Sequence, residues 1–344
     1  MVAHEIERFA SAALLRLPPR RLLALAAGRR IEIDGHVLNP QVQLALRLRA
    51  LRRPPELHDL GPAGARAEFA RQVALYSGRR RRDVRVRELC ADGPAGPIPV
   101  RLYVPRWASV PYPVLVYYHG GGGVIGDLDT HDPICGRLAD EAGCAVASVA
   151  YRLAPEHPFP AGLDDAEAAY RWLFGQAPRL GGDPARFAVG GDSLGANLAT
   201  NVARRVRDAA APRFQLLAYP GVDFTMSSPS HRTLAEGYLL SDETMRWFRR
   251  HYLPAPELAS DPVASPLWAD DLAGLPPAYI ATAGFDPLRD EGRAYADRLR
   301  DAGVAVTHRC EPGLVHGFLS AADLIDEAGR AASDCAAAAA DALA

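Results

Sequence analysis

Apolar and polar positions change rhythm along the chain. Up to about residue 82 the pattern is helical and amphipathic. One apolar segment holds Val42, Leu44, Leu46, Leu48 and Leu51 and ends at Pro54-Pro55; another runs from Ala63 to Tyr76 and closes at Ser77-Gly78. From Asp83 the period shortens to two. Val84, Val86 and Leu89 alternate with polar residues, a Gly/Pro-rich turn follows, and Ile98 to Val104 alternates again, which predicts an antiparallel hairpin. Short continuous apolar runs then recur at Val114–Tyr118, Ala145–Ala150, Phe187–Val189, Phe214–Tyr219, Ala278–Ala283 and Val304–Cys310. Helical patterns lie between several of them, at Pro133–Ala142, Leu163–Leu173, Leu194–Asp208 and Leu288–Ala302. Strands buried on both faces and alternating with helices predict an α/β fold with a mostly parallel sheet covered on both sides. An aromatic-rich stretch (Tyr238, Trp247, Phe248, Tyr252) interrupts the rhythm, and Ala321 to Leu343 reads as a final helix. The expected organisation is an N-terminal helical cap segment, 1–82, and a main domain, 83–344, in which 221–262 is a second cap insertion.

Composition narrows the function classes. With 344 residues and 49% hydrophobic content, the chain can bury a large core. A net charge of −2 gives no general attraction to nucleic acid or anionic membranes. All 39 basic residues are arginine, and the run Arg79–Arg82 lacks the basic and aromatic neighbours of a nucleic-acid patch, so it reads as a solvated linker. The five cysteines are scattered without a C-x-x-C pair, which argues against a disulfide framework or a metal site and fits a reducing cytoplasm. The start lacks the basic region of a signal peptide, and no apolar run approaches the ~18 residues of a membrane span.

The stretch Phe187 to Asn197 carries the strongest chemical signal. An apolar run stops at Gly190-Gly191, and beyond Ser193 the apolar positions Leu194, Leu198 and Val202 take helical spacing. A strand, a sharp turn and a helix therefore meet at a serine. Gly191, Ser193 and Gly195 form G-x-S-x-G, in which the serine hydroxyl is exposed on a strained turn at the end of a sheet.

A serine hydroxyl needs a base, and the base needs an orienting acid. In open α/β sheets such groups come from loops at the carboxyl ends of strands. Ala278–Ala283 leads to Asp286, and Val304–Cys310 leads to His316. The order Ser193, Asp286, His316 is the triad order of α/β-hydrolases. Asp290 and Glu291 are rival acids, but they fall inside the next helix. His308 lies within a strand, while His157 and His251 are weaker rivals for the base.

The second constellation is His119 followed by Gly120 to Gly123, directly after Val114–Tyr118. A tetrahedral intermediate needs backbone N–H donors, and glycines let the backbone approach without a Cβ in the way. The predicted oxyanion donors are Gly121, Gly122 and Leu194, with His119 as scaffold. Gly121, Gly123 and Gly126 also spell G-x-G-x-x-G, but no helix opens at once and no acid ends the next strand, as a dinucleotide site requires.

These stretches together resemble the hormone-sensitive lipase family of α/β-hydrolases, in particular its bacterial esterases. The resemblance rests on Tyr118–Gly122, Gly126–Asp132, Tyr151–Pro160, Gly190–Gly195, Asp286–Gly292 and His316–Phe318, in the family's order. It implies a sheet of about eight strands under a helical cap, and hydrolysis of short- to medium-chain acyl esters with no cofactor and no metal. It also makes a small-molecule ester the partner and a homodimer one expected assembly. Gly123, Val124, Leu288 and Val315 are the candidate substrate-binding positions. Gly123 stands where the family commonly has an aromatic residue, which suggests a roomier mouth, and Leu194 adds bulk where alanine is frequent. Asp192 beside the serine is expected to support the turn or the cap, Asp164 and Asp165 to cap the helix from Leu163, and Glu156 and His157 to brace the core. The competing readings are a non-catalytic receptor on the same fold, which normally has a broken triad, and a dinucleotide-dependent enzyme.

Overall fold

The computed structural model describes residues 13–26, 28–78 and 81–344. Its N-terminal part holds helix α1 (Pro19–Leu25), the two-residue strands β1 (Glu32–Ile33) and β2 (His36–Val37), and helices α2 (Pro40–Arg52) and α3 (Pro62–Tyr76). The β1–β2 hairpin was not expected. Its loop is Asp34-Gly35, both at positive φ (52° and 77°), the conformation a two-residue hairpin loop demands.

The hairpin β3 (Val84–Gly93) and β4 (Gly96–Pro105) opens the main sheet. Then follow β5 (Tyr112–Tyr118), α4 (Asp132–Ala142), β6 (Ala145–Val149), α5 (Ala161–Leu180), β7 (Gly182–Asp192), α6 (Leu194–Val206) and β8 (Gln215–Ala218). The inserted stretch carries α7 (Ser230–Thr233) and α8 (Asp242–Tyr252), and the chain ends with β9 (Ala278–Phe285), α9 (Arg289–Asp301), β10 (Val306–Val315) and α10 (Asp326–Leu343). The eight long strands form one sheet in the order β10-β9-β8-β7-β5-β6-β4-β3. Only the pairings β3/β4 and β4/β6 are antiparallel. This is an α/β-hydrolase sheet.

Period two explains the apolar runs. In β5, Val114, Val116 and Tyr118 enter one core and Leu115 and Tyr117 the other, so a strand covered on both faces has no polar side. The first core takes the stripe Leu163, Ala166, Tyr170, Leu173 and Ala177 of α5 and the stripe Leu198, Val202 and Val206 of α6. The second takes Ile134, Leu138 and Ala142 of α4 and Ala328, Ala332, Cys335 and Ala339 of α10.

Two strands run further than their apolar runs. β7 begins at Gly182, where Gly182 pairs with Tyr112 ahead of a register shift. β10 continues through Pro312 and Gly313 to Val315, again across a shift. Helix α5 begins at Ala161, two residues earlier than the apolar pattern, and has no side-chain cap. Asp164 therefore lies inside the first turn and Asp165 just beyond it, and neither caps the helix. Asp165 is buried and holds Arg152 bidentately, at 2.8 Å for both contacts, while Asp164 pairs with Arg205 at 2.9 Å. Arg79 and Arg80 of the arginine run lie outside the described residues; Arg81 is within 3.5 Å of Glu141 and 3.4 Å of Asp323. Among the described residues no helix is long and apolar enough to cross a membrane.

Candidate active site

The turn between β7 and α6 is tight because its neighbours are backbone. A Cβ on Gly195 would overlap the Tyr118 carbonyl oxygen, and one on Gly191 would overlap the backbone of Gly195. Ser193 adopts φ 54° and ψ −121°, a conformation that costs a non-glycine residue on the order of 1–3 kcal/mol and that its surroundings must enforce. They do so through two bonds: Ser193 N–H donates to Ala218 O at 2.9 Å, and Gly221 N–H donates to Ser193 O at 3.2 Å. Because β8, β9 and β10 follow β7 in the sheet, the loops after β9 and β10 open on the same edge as this turn. They bring Asp286 and His316 to the serine. His316 Nε2 lies 3.1 Å from Ser193 Oγ, and His316 Nδ1 lies 2.8 Å from Asp286 Oδ2. Asp286 is wholly buried, and its Oδ1 accepts from Leu288 N–H at 2.9 Å. Burial alone would lower the His316 pKa, but the charge of Asp286 and its hydrogen bond outweigh that and raise it.

The loop after β5 turns back on itself through three glycines at positive φ: Gly121 (116°), Gly122 (59°) and Gly123 (71°). Gly121 O accepts from the N–H groups of Val124 and Ile125. The N–H groups of Gly121, Gly122 and Leu194 donate to no backbone carbonyl among the described residues, and all three residues line the cavity that holds Ser193. His119 is buried and stacked on Tyr151 with 4.3 Å between ring centroids, and its Nδ1 lies 2.8 Å from Gly120 O. Burial, reinforced by neighbouring His131, pushes its pKa down to about 4, which keeps it neutral as a scaffold residue.

Residues 115–320 match the family model described as the alpha/beta hydrolase fold. Carboxylic ester hydrolase LipN of Mycobacterium tuberculosis is 43% identical over 88% of this chain and 82% of its own. Ethyl acetate hydrolase of Pseudomonas putida is 40% identical over 85% of this chain and 95% of its own. The structure of ester-hydrolase EH1AB1 from the metagenome of Lake Arreo, complexed with a bipyridine phosphonate derivative, superposes with a TM-score of 0.85 at 43% identity, over 88% of this chain and 98% of that one. The chain belongs to the alpha/beta hydrolase fold family. Within it, the hydrolase is of the hormone-sensitive lipase type, a group of carboxylic ester hydrolases.

The rival residues of the hydrolase have other partners. Asp290 pairs with Arg289 at 2.9 Å, and Glu291 lies 2.6 Å from His231 while accepting from the N–H groups of Val222 and Asp223. His308 faces Thr282 at 3.0 Å, His251 faces Trp247 O at 2.9 Å, and His157 is exposed.

The cavity around Ser193 measures about 310 Å³ and is mostly apolar. The N-terminal segment contributes Leu57, Phe69 and Val73 to its wall, and the insertion contributes Met226, Met245 and Phe248. The two segments touch where His58 Nδ1 lies 2.9 Å from Thr244 Oγ1. Of the four candidate substrate positions, Leu288 and Val315 line this cavity and Gly123 and Val124 do not. Val124 is buried in the core, and the space beside Gly123 is filled by the Tyr252 ring and Leu194. The expected wider mouth is therefore closed by an aromatic side chain supplied from α8. Glu156, expected as a core brace, is exposed and instead receives Arg66 of α3, whose guanidinium also donates to Val124 O (2.8 Å) and Ala154 O (2.9 Å). Tyr219 was missed: its ring meets His316 edge-on at 4.9 Å between centroids, and no local pattern distinguishes it from the core tyrosines nearby.

Proposed function

We propose that the hydrolase is a serine carboxylesterase acting on short- to medium-chain acyl esters through an acyl-enzyme. The observation that carries this reading is the single imidazole bridging Ser193 Oγ and the buried Asp286 carboxylate. His316 takes the Ser193 proton as Oγ attacks the ester carbonyl, and the oxyanion is received by the N–H groups of Gly121, Gly122 and Leu194. His316, now protonated, gives the proton to the leaving alcohol; water then repeats the cycle on the acyl-enzyme. Asp286 holds the Nδ1–H tautomer and stabilises the imidazolium. Residues 1–82 and 221–262 act as the two parts of a cap over this site. A cavity of about 310 Å³ sits at the low end of the ~300–1,000 Å³ of small-molecule sites, which supports small esters. The test is a chain-length series of p-nitrophenyl esters with wild type and Ser193→Ala. Turnover that declines for long acyl chains and disappears in the variant is expected. Turnover that persists in Ser193→Ala overturns the reading.

A further inference from the structure

The three oxyanion donors sit on two separate pieces of chain. Gly121 and Gly122 follow β5, and Leu194 follows β7. A displacement of about 1 Å between such pieces is enough to cost 10²-fold in rate, so something must fix their separation. We propose that Asp192, with His131 as its counter-group, is a positioning residue that locks the glycine loop to the serine turn. The inference rests on the serine-esterase reading and assigns a task to residues that the reaction does not itself use.

Asp192 is the residue before Ser193, and its side chain crosses to the neighbouring strand. Asp192 Oδ1 accepts from Gly120 N–H at 3.0 Å, one residue before the first oxyanion donor, and from Tyr117 Oη at 2.9 Å. The fit is close: a Cβ on Gly120 would stand 2.5 Å from Asp192 Oδ2 and 2.9 Å from Asp192 O. Asp192 is only 6% exposed. Burial opposes its ionisation, but His131 and the hydrogen bonds from His131 and Tyr117 prevail and hold its pKa below the usual aspartate range. His131 Nε2 lies 3.4 Å from Asp192 Oδ1. The imidazole is set in turn by Thr130 Oγ1, 3.1 Å from its Nδ1, and Thr130 N–H donates to Asp127 Oδ1 at 2.7 Å. The run Gly126 to Asp132, which contains no reacting group, thus ends in a contact that holds the oxyanion loop. Oδ1 is engaged by N–H and O–H donors of the scaffold, and Asp192 also borders the cavity that holds Ser193.

The experiment compares wild type, Ser193→Ala, Asp192→Ala, Asp192→Asn and His131→Asn. It measures p-nitrophenyl butyrate kinetics and inhibition by an alkyl trifluoromethyl ketone, which forms an oxyanion on the serine, and by the matching methyl ketone, which does not. Asp192→Ala is expected to lose on the order of 10²–10³ in kcat, the value of one oxyanion donor, with KM nearly unchanged. Its affinity for the trifluoromethyl ketone should fall by the same factor while that for the methyl ketone stays constant. Asp192→Asn keeps an acceptor for Gly120 N–H and loses less; His131→Asn moves in the same direction as Asp192→Ala. Unaltered kcat in Asp192→Ala, or a loss of kcat with trifluoromethyl ketone affinity intact, overturns the proposal. So does failure of all three variants to fold, judged by near-ultraviolet circular dichroism, because the role is then general stability. Absence of turnover in wild type, or its survival in Ser193→Ala, removes the esterase reading and this proposal with it.

Discussion

Replacing Asp286 by asparagine should disarm the hydrolase through the position of one proton. The carboxylate accepts on both oxygens, from Leu288 N–H at 2.9 Å and from His316 Nδ1 at 2.8 Å. An amide offers one acceptor and one donor group. Leu288 N–H can only donate, so the amide oxygen must face it and the NH₂ must face His316. Nδ1 is then forced to accept, the ring proton moves to Nε2, and Ser193 Oγ meets a donor where it needs a base. The reverse orientation restores the tautomer but sets two buried donors against each other. At about 1–3 kcal/mol per unsatisfied buried donor, that costs roughly 2–6 kcal/mol, or a population lower by about 30-fold to 2 × 10⁴-fold. The loss in kcat for Asp286→Asn should fall in this range, with KM and the melting temperature near wild type because shape and hydrogen-bond count are kept. Losing the Asp286 charge also leaves burial as the main influence on His316, so the acid limb of the remaining activity should move to lower pH. The assay is the pH profile of p-nitrophenyl butyrate hydrolysis for both proteins. A kcat within tenfold of wild type, or an acid limb displaced upward, refutes the reasoning.

Three further outcomes are expected. In wild type the base must be neutral and its pKa is raised, so kcat/KM should be full at mildly alkaline pH and fall through a midpoint above the ordinary imidazole value of about 6.5; a midpoint clearly below that value contradicts the assignment. Tyr252→Ala removes a ring packed against Phe159 and Phe224 with centroids 5.8 and 5.4 Å away, which should cost about 3–5 kcal/mol in urea denaturation. It should also open space beside Gly123, seen as improved turnover of branched acyl esters. Arg66→Ala cuts the bonds from α3 to Val124 O, Ala154 O and Glu156, so limited proteolysis should cleave the segment before residue 78 faster than in wild type while the core persists.

What could be read before the structure is what local chemistry encodes. The serine turn was legible because an apolar strand, two close glycines and an amphipathic helix all lie within a few residues. Asp286 and His316 stand out in the sequence because each lies just past a strand, Asp286 after the buried β9 and His316 after the edge strand β10. The features that escaped depend on distant packing. Pro312 and Gly313 read as the end of a strand, yet parallel pairing with β9 resumes at Val315. Asp165 resembled a helix cap, but Arg152 claims it, and no spacing rule reveals that partner. Gly123 suggested open space because nothing nearby in sequence fills it; the occupant, Tyr252, is more than a hundred residues away. The Asp34-Gly35 turn carries a local signal of its own, but its two-residue strands are too short to show a period.

Arg66 bears on how such a molecule can be remodelled. Much of the chamber wall comes from chain before residue 77 and from the stretch 221–249, whereas Ser193, Asp286 and His316 ride on loops of the sheet, so exchanging those two stretches for foreign ones is expected to change ester preference. The guanidinium makes one demand on any graft. It grips two carbonyls beside the glycine turn, so a donor fragment without an arginine at that point would arrive with its new pocket unmoored from the chemistry it is meant to serve.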